Sequence, residues 1–232
     1  MYITTQYVWL SASLGFLFVW LAVYLSLGSK KTRKEMFVVS LWTSLLGLTE
    51  PLFVPEYWDP PTLFNLAQRT GFDIESIIFS FAVGGIAVVI YETIFQAKHQ
   101  AVSLKERLKS IHRLHYFFLS LAPLIFVLLW VFTKINPIYS VSIAMFVGAV
   151  GAIICRRDLT KKILVGGAIF LGLYLLLFSL FNWAFPGYID QVWNFDAISG
   201  IKILGVPIEE LLFALTLGML WSSLYEHLTW RT

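Results

Sequence analysis

Read as hydrophobic and polar positions, the chain is a succession of long apolar stretches separated by short polar ones. Stretches of spanning length fall at about 7–28, 36–54, 74–96, 116–133, 137–155, 163–183 and 207–229. About 20 apolar residues in a helix cross the hydrocarbon of a bilayer. The pattern therefore predicts an all-α, polytopic membrane protein of seven transmembrane helices, with no room for a soluble domain. The fourth and fifth spans are the shortest and are separated by KINP at 134–137, where Pro137 suits the first turn of the fifth. The opening MYITTQYVWL lacks the basic segment of a cleavable signal and is expected to run straight into the first span.

Composition agrees: 58% of residues are hydrophobic and 13% charged, about half the charge of a soluble domain. Cys155 is the single cysteine, which rules out an internal disulfide and any multi-cysteine metal site. His112 and His115 sit in a basic loop and show no metal-ligand spacing, so no metal is expected there.

Charge sets the orientation. Lys30, Lys31, Arg33 and Lys34 follow the first span; Lys98, Lys105, Arg107, Lys109 and Arg113 follow the third; Arg156, Arg157, Lys161 and Lys162 follow the fifth. With Arg231 these are fourteen of the 17 Lys and Arg, leaving Arg69, Lys134 and Lys202 on the other side. The positive-inside rule then places the N-terminus outside and the C-terminus in the cytoplasm of a cell membrane. The basic residues are accounted for by topology, and no nucleic acid is expected as a partner.

GFDIESIIFSFAVGGIAVVIYE at 71–92 aligns without gaps to GVPIEELLFALTLGMLWSSLYE at 205–226, matching Glu75 to Glu209, Phe79 to Phe213, Gly84 to Gly218 and Glu92 to Glu226. PEYWD at 55–59 resembles PGYID at 186–190, and SKKTRKE after the first span resembles RRDLTKK after the fifth. The chain thus divides into a three-helix unit at 1–97, a basic loop and linking helix at 98–135, and a second three-helix unit at 136–232. Both units share one orientation, a parallel duplication about an axis along the membrane normal. The glutamate-bearing third and seventh spans are expected to meet across that axis, with Gly84, Gly85 and Gly218 allowing close approach. The outer loops carry Tyr57, Trp58, Phe64, Tyr188, Trp193 and Phe195, which read most simply as an interfacial aromatic belt, with the lining of an apolar ligand site as the alternative.

Glu50, Asp73, Glu75, Glu92, Glu209, Glu210 and Glu226 all fall at span ends or just inside them. Ionisable groups at such depth are costly and mark functional candidates. Pro207 at a first helical position followed by acids is also an ordinary helix start. That explains one glutamate, not two, and not the glutamate at the same register of the earlier unit. Glu92 and Glu226, near Lys98, His99, His227 and Arg231, read as snorkelling or ion-paired ends. A protonated carboxylic acid beside an anionic one in an apolar cavity would form an acid–base pair. Adjacent helical positions point about 100° apart, so one of Glu209 and Glu210 is expected to face the reacting centre.

PIEELLF at 207–213 resembles the Pro-x-Glu-Glu/Asp signature of the membrane-embedded lycopene cyclases of bacteria, archaea and fungi, the heterodimeric or fused-repeat type. YIDQVWNFDAISGIKILG before it and LTLGMLWSSLYE after it are similar to that family's cyclase domain. The resemblance implies a cofactor-free closure of the acyclic ends of lycopene, or a related acyclic carotenoid, into β-rings through a one-ringed intermediate. It implies catalysis by Glu209 and Glu210 with Glu75, and substrate contacts from Asp73, Pro207, Trp193, Phe213, Trp221, Phe79 and Asn194. The partners implied are that carotenoid and the lipid bilayer, with a homo-oligomer left open. The first unit reads Asp73-Ile74-Glu75-Ser76 and lacks the proline and the second glutamate, so the expectation bears on Glu209 and Glu210 more than on Glu75. A retinal protein is excluded because 207–229 contains no lysine, and a diphosphate-using prenyltransferase because no aspartate-rich pair occurs. A small transporter or a non-catalytic carotenoid- or quinone-binding scaffold are the alternatives.

Overall fold

The computed structural model describes residues 5–97, 101–108 and 110–231; Lys98, His99 and Lys109, three of the basic-loop residues noted above, lie outside them. The described residues are almost entirely helical. They include seven long helices, all but the second at the expected places: α1 Val8–Ser26, α2 Lys30–Ser44, α3 Ile74–Phe95, α4 His115–Phe132, α5 Pro137–Cys155, α6 Thr160–Ala184 and α7 Ile208–Thr229. All but α2 are long and apolar enough to cross a membrane, which makes the chain a multi-pass membrane protein.

The second stretch departs from expectation. SKKTRKE is not a loop: Ser29 caps the N-terminus of α2 by accepting from the Thr32 N–H, and the helix starts at Lys30. At Leu45 the chain tightens into a 3-10 helix that runs to Leu52 and contains Pro51. Gly47 lies so close to Ile77 that a Cβ would meet its backbone at 2.7 Å. A backbone approach and a proline replace the regular end of a span.

The chain divides into two compact units. The first comprises Met1–Ile86 and Leu173–Leu211. In it Trp20 donates to Ser40, and a Cβ on Gly85 would collide with both, while one on Gly84 would collide with Thr43. Trp9, Phe16, Phe79, Tyr174 and Phe178 form a run of ring contacts. The second comprises Ala87–Gly172 and Leu212–Thr232. There α4 and α5 pack side by side, with Gly151 against Phe118 and Leu121. Asn136 caps α5 and Pro137 takes its first turn, as expected. Gly218 of α7 seats against Phe170 and Gly167 of α6. Gly84, Gly85 and Gly218 therefore serve packing of α3 on α2 and of α7 on α6, correcting the expectation that they join the third and seventh spans.

Pro207 is not the first residue of α7. It lies in a two-strand pair, Lys202–Ile203 with Val206–Pro207, closed by Leu204 and Gly205 at φ 52° and 81°. Two successive left-handed residues make the tight hairpin turn that matches strand twist. Asn182 occupies the space a Cβ on Gly205 would need. This hairpin delivers the chain into α7 with both glutamates in its first turn.

Candidate active site

Among the described residues six carboxyl side chains are buried in the first unit: Glu35 in α2, and Glu50, Asp73, Glu75, Glu209 and Glu210. Their partners differ. Glu75 accepts from the Leu63 N–H at 2.7 Å and Glu209 from the Ser199 N–H at 2.9 Å, so each ties the loop before its helix to the helix start. The Glu75 Oε2 has no hydrogen-bond partner among the described residues. Asp73 accepts from the N–H and hydroxyl of Ser76. Burial raises the Asp73 carboxyl above the usual range, with Glu75 adding to the rise, and the Ser76 hydrogen bonds offset this only in part. Glu50 lies near Asp73, and its Oε1 has no hydrogen-bond partner among the described residues.

Glu210 stands apart. Its Oε1 accepts from the Tyr57 hydroxyl at 2.6 Å and the Trp193 indole N–H at 3.0 Å, and its Oε2 from the Tyr174 hydroxyl at 2.6 Å. Both oxygens act as acceptors, which is what a carboxylate offers. Glu209 and Glu210 thus point to different partners, as expected of adjacent helical positions. Burial, then the nearby Glu210 charge, raises the Tyr57 hydroxyl well above the ordinary phenol range, so it stays protonated as a donor.

The outer loops are held together by backbone. Trp58 and Trp193 form an antiparallel bridge, Asp59 N–H donates to the Val192 carbonyl, and Asn194 N–H donates to the Tyr57 carbonyl. Tyr57, Trp58, Tyr188 and Trp193 are buried, and of the six loop aromatics only Phe64 is largely exposed. This corrects the belt reading: the rings pack within the unit, and two of them are hydrogen-bond donors to Glu210. The Tyr188 hydroxyl is also raised, by burial first and then by Glu75 and Asp73. Tyr57 and Tyr188 hold matching places in the similar stretches PEYWD and PGYID; Tyr57 donates to Glu210, and Tyr188 lies near Glu75 and Asp73.

The remaining expected residues are placed as follows. Phe79 is half-buried against Trp9 and Phe16 at ring distances of 5.2 and 5.1 Å. Pro207 is buried in the hairpin. Asn194 is exposed, and its side chain donates to the Pro55 and Glu56 carbonyls, tying loop to loop. Phe213 and Trp221, both half-buried, belong to the second unit. Glu92 and Glu226, also in that unit, are buried and share the Lys162 ammonium. They are ion-paired ends rather than snorkelling ones.

Sequence reasoning missed Tyr174, one aromatic among many in an apolar span. A phenol inside a span needs a partner for its hydroxyl, which is the available signal. Tyr57 was legible as the repeat counterpart of Tyr188 but not as a ligand of Glu210.

The arrangement joins buried carboxyl groups, hydroxyl and indole donors, and aromatic faces, a set suited to moving protons on an apolar substrate. A search of curated proteins and of solved structures returns no match. Residues 136–228 match the family model described as lycopene cyclase, a family whose activity is carotenoid cyclisation. That stretch takes in α5, α6, the hairpin and nearly all of α7 with Glu209 and Glu210, so the likeness to that family covers the part of the chain that carries both glutamates.

Proposed function

We propose that the chain closes the acyclic ends of lycopene, or of a closely related carotenoid, into β-rings by acid–base chemistry without a cofactor, passing through a one-ringed intermediate. A carboxylic acid protonates the terminal double bond and leaves a tertiary carbocation. The neighbouring double bond attacks it and closes a six-membered ring, and a carboxylate then removes a proton. No electrons enter or leave, and the proton gained is balanced by the proton lost. Rings such as Phe79 and Tyr174 offer π faces to the cation, an attraction of about 2 kcal/mol when desolvated.

The observation that carries this reading is the environment of Glu210: a buried carboxyl whose oxygens accept from Tyr57, Tyr174 and Trp193 within an aromatic cluster. Such a group is held in one orientation and suits the base. Glu209, beside it, and Glu75, with an oxygen left without a partner, are the candidate proton donors. Seven spans with the N-terminus outside a cell membrane, in the duplicated arrangement 1–97, 98–135 and 136–232, complete the proposal. The family match falls inside the second of those repeats.

The test is pigment analysis of lycopene-accumulating cells expressing Glu209→Gln, Glu210→Gln or Glu75→Gln. Loss of a positioned acid or base costs about 10²–10⁴-fold. At least one second-repeat variant should abolish ring formation while still inserting, and a partly impaired variant should accumulate the one-ringed product. Full activity in both Glu209→Gln and Glu210→Gln would remove these residues from the mechanism.

A further inference from the structure

Within the second unit lies a cluster that the cyclisation chemistry does not use. His112, from the segment before α4, His115, the first residue of α4, and Cys155, the last of α5, are all buried, and one ligand atom from each lies within 4.8 Å of the others. This overturns the expectation of no metal-ligand grouping around His112 and His115. Spacing along the chain could not reveal it, because packing of α4 against α5 supplies the third ligand from 40 residues away.

The geometry is specific. The Cys155 sulfur lies 3.6 Å from the His112 Nδ1 and 3.5 Å from the His115 Nδ1. In a tetrahedral zinc site, Zn–S of about 2.3 Å and Zn–N of about 2.0–2.1 Å place sulfur and nitrogen about 3.6 Å apart. Both imidazoles turn the same nitrogen toward the sulfur. The His227 backbone lies close enough to the His115 ring to influence it, and an outer contact of that kind orients a metal-bound histidine. Trp230 stacks on His115 at 4.0 Å and covers the ring. The nearest buried cation, Arg156, is matched by Asp158 and by the Glu226 and Arg231 carbonyls, so it does not leave an unbalanced charge beside the cluster. His227 adds a further imidazole: it is buried, its ring is 4.6 Å from that of His115, and its Nε2 has no hydrogen-bond partner among the described residues.

We propose that His112, His115 and Cys155 bind a zinc-class divalent cation, with His227 beside them to close the fourth side. Thiolate and imidazole donors suit zinc and disfavour magnesium and calcium, which take oxygen ligands. On binding, the Cys155 thiol gives its proton to solvent and the imidazoles bind neutral. The ion joins the segment before α4 and the ends of α4 and α5, a structural role separate from the carboxyl groups of the first unit.

The test uses the full chain purified in detergent. Metal analysis should find about one zinc per chain, the stoichiometry of a single closed site. Chelator-treated protein should regain thermal stability when zinc is added back. Cobalt titration of the stripped wild-type chain should produce the thiolate-to-cobalt charge-transfer absorption of a cysteine ligand, and Cys155→Ser should abolish that band. His115→Ala should lose the retained zinc, and His112→Ala likewise. Because the cobalt spectrum of the folded wild-type chain does not depend on any variant folding, its absence overturns the proposal. So does retention of zinc by all three variants.

Discussion

Tyr174 is the residue on which the reading of Glu210 can be tried most directly. Its hydroxyl is the one donor to Glu210 Oε2 among the hydrogen bonds described above. Tyr174→Phe keeps the ring, its stacking on Phe178 and its volume, and removes only that donor. A hydrogen bond to a charged group contributes about 1.5–3 kcal/mol, which is roughly ten- to hundredfold in rate. Cyclisation by Tyr174→Phe, followed as the ratio of cyclic to acyclic pigment over time, should fall by that factor with insertion unchanged. Asp73 makes a second prediction, about pH. Its folded-state carboxyl is raised, so the folded chain holds that proton more tightly than the unfolded one. The stability this contributes is fully present below the ordinary carboxyl value near 4 and is lost as pH rises through the raised value. Asp73→Asn should therefore flatten the dependence of thermal stability on pH across the interval from about 4 upward; an unchanged slope would sink the assignment.

The apolar stretches gave the helices because span length and composition survive any packing arrangement. What they did not give lies where tertiary contacts overrule local pattern. The stretch at 36–54 reads as apolar throughout, yet the approach of Gly47 to Ile77 and the proline at 51 turn its end into a 3-10 helix. Pro207 reads as a helix start, yet Leu204 and Gly205 fold it into a hairpin. The glutamates at 209 and 210 were legible by position, and their partners were not, because Tyr57 and Tyr174 come from a loop and another helix. Lys162 is the sharpest case of a misleading local pattern. It sits in a basic run, but its ammonium pairs with Glu92 of α3 and Glu226 of α7, while its own chain forms the first turns of α6. Removing one member of a buried ion pair costs about 3–5 kcal/mol, because the partner charge is stranded. Lys162→Met should lower thermal stability by that amount in detergent. Adding Glu92→Gln and Glu226→Gln should recover much of it.

At the scale of the whole molecule, the six apolar spanning helices and the basic loops make orientation testable. Cys155 is buried at 2% exposure, so the native chain is close to a cysteine-silent background for labelling. Cysteines introduced at Lys31 and Lys161, both exposed, should react with an impermeant reagent only after cells are opened, and one at Lys202 should react in intact cells. Labelling of position 31 from outside would reverse the proposed topology.

The crossed tyrosines carry a consequence for how such a chain tolerates change. Under the proposed duplication, Tyr57 of the first repeat donates to Glu210 of the second, and Tyr188 of the second lies in the electrostatic reach of Glu75 and Asp73 of the first. On that proposal neither repeat owns a complete acid site. The proposal then predicts that a gene cut between the repeats makes two products that are each chemically mute until they meet. In one gene the two proposed halves would drift in step, since a substitution in one loop is felt at the other half's glutamate.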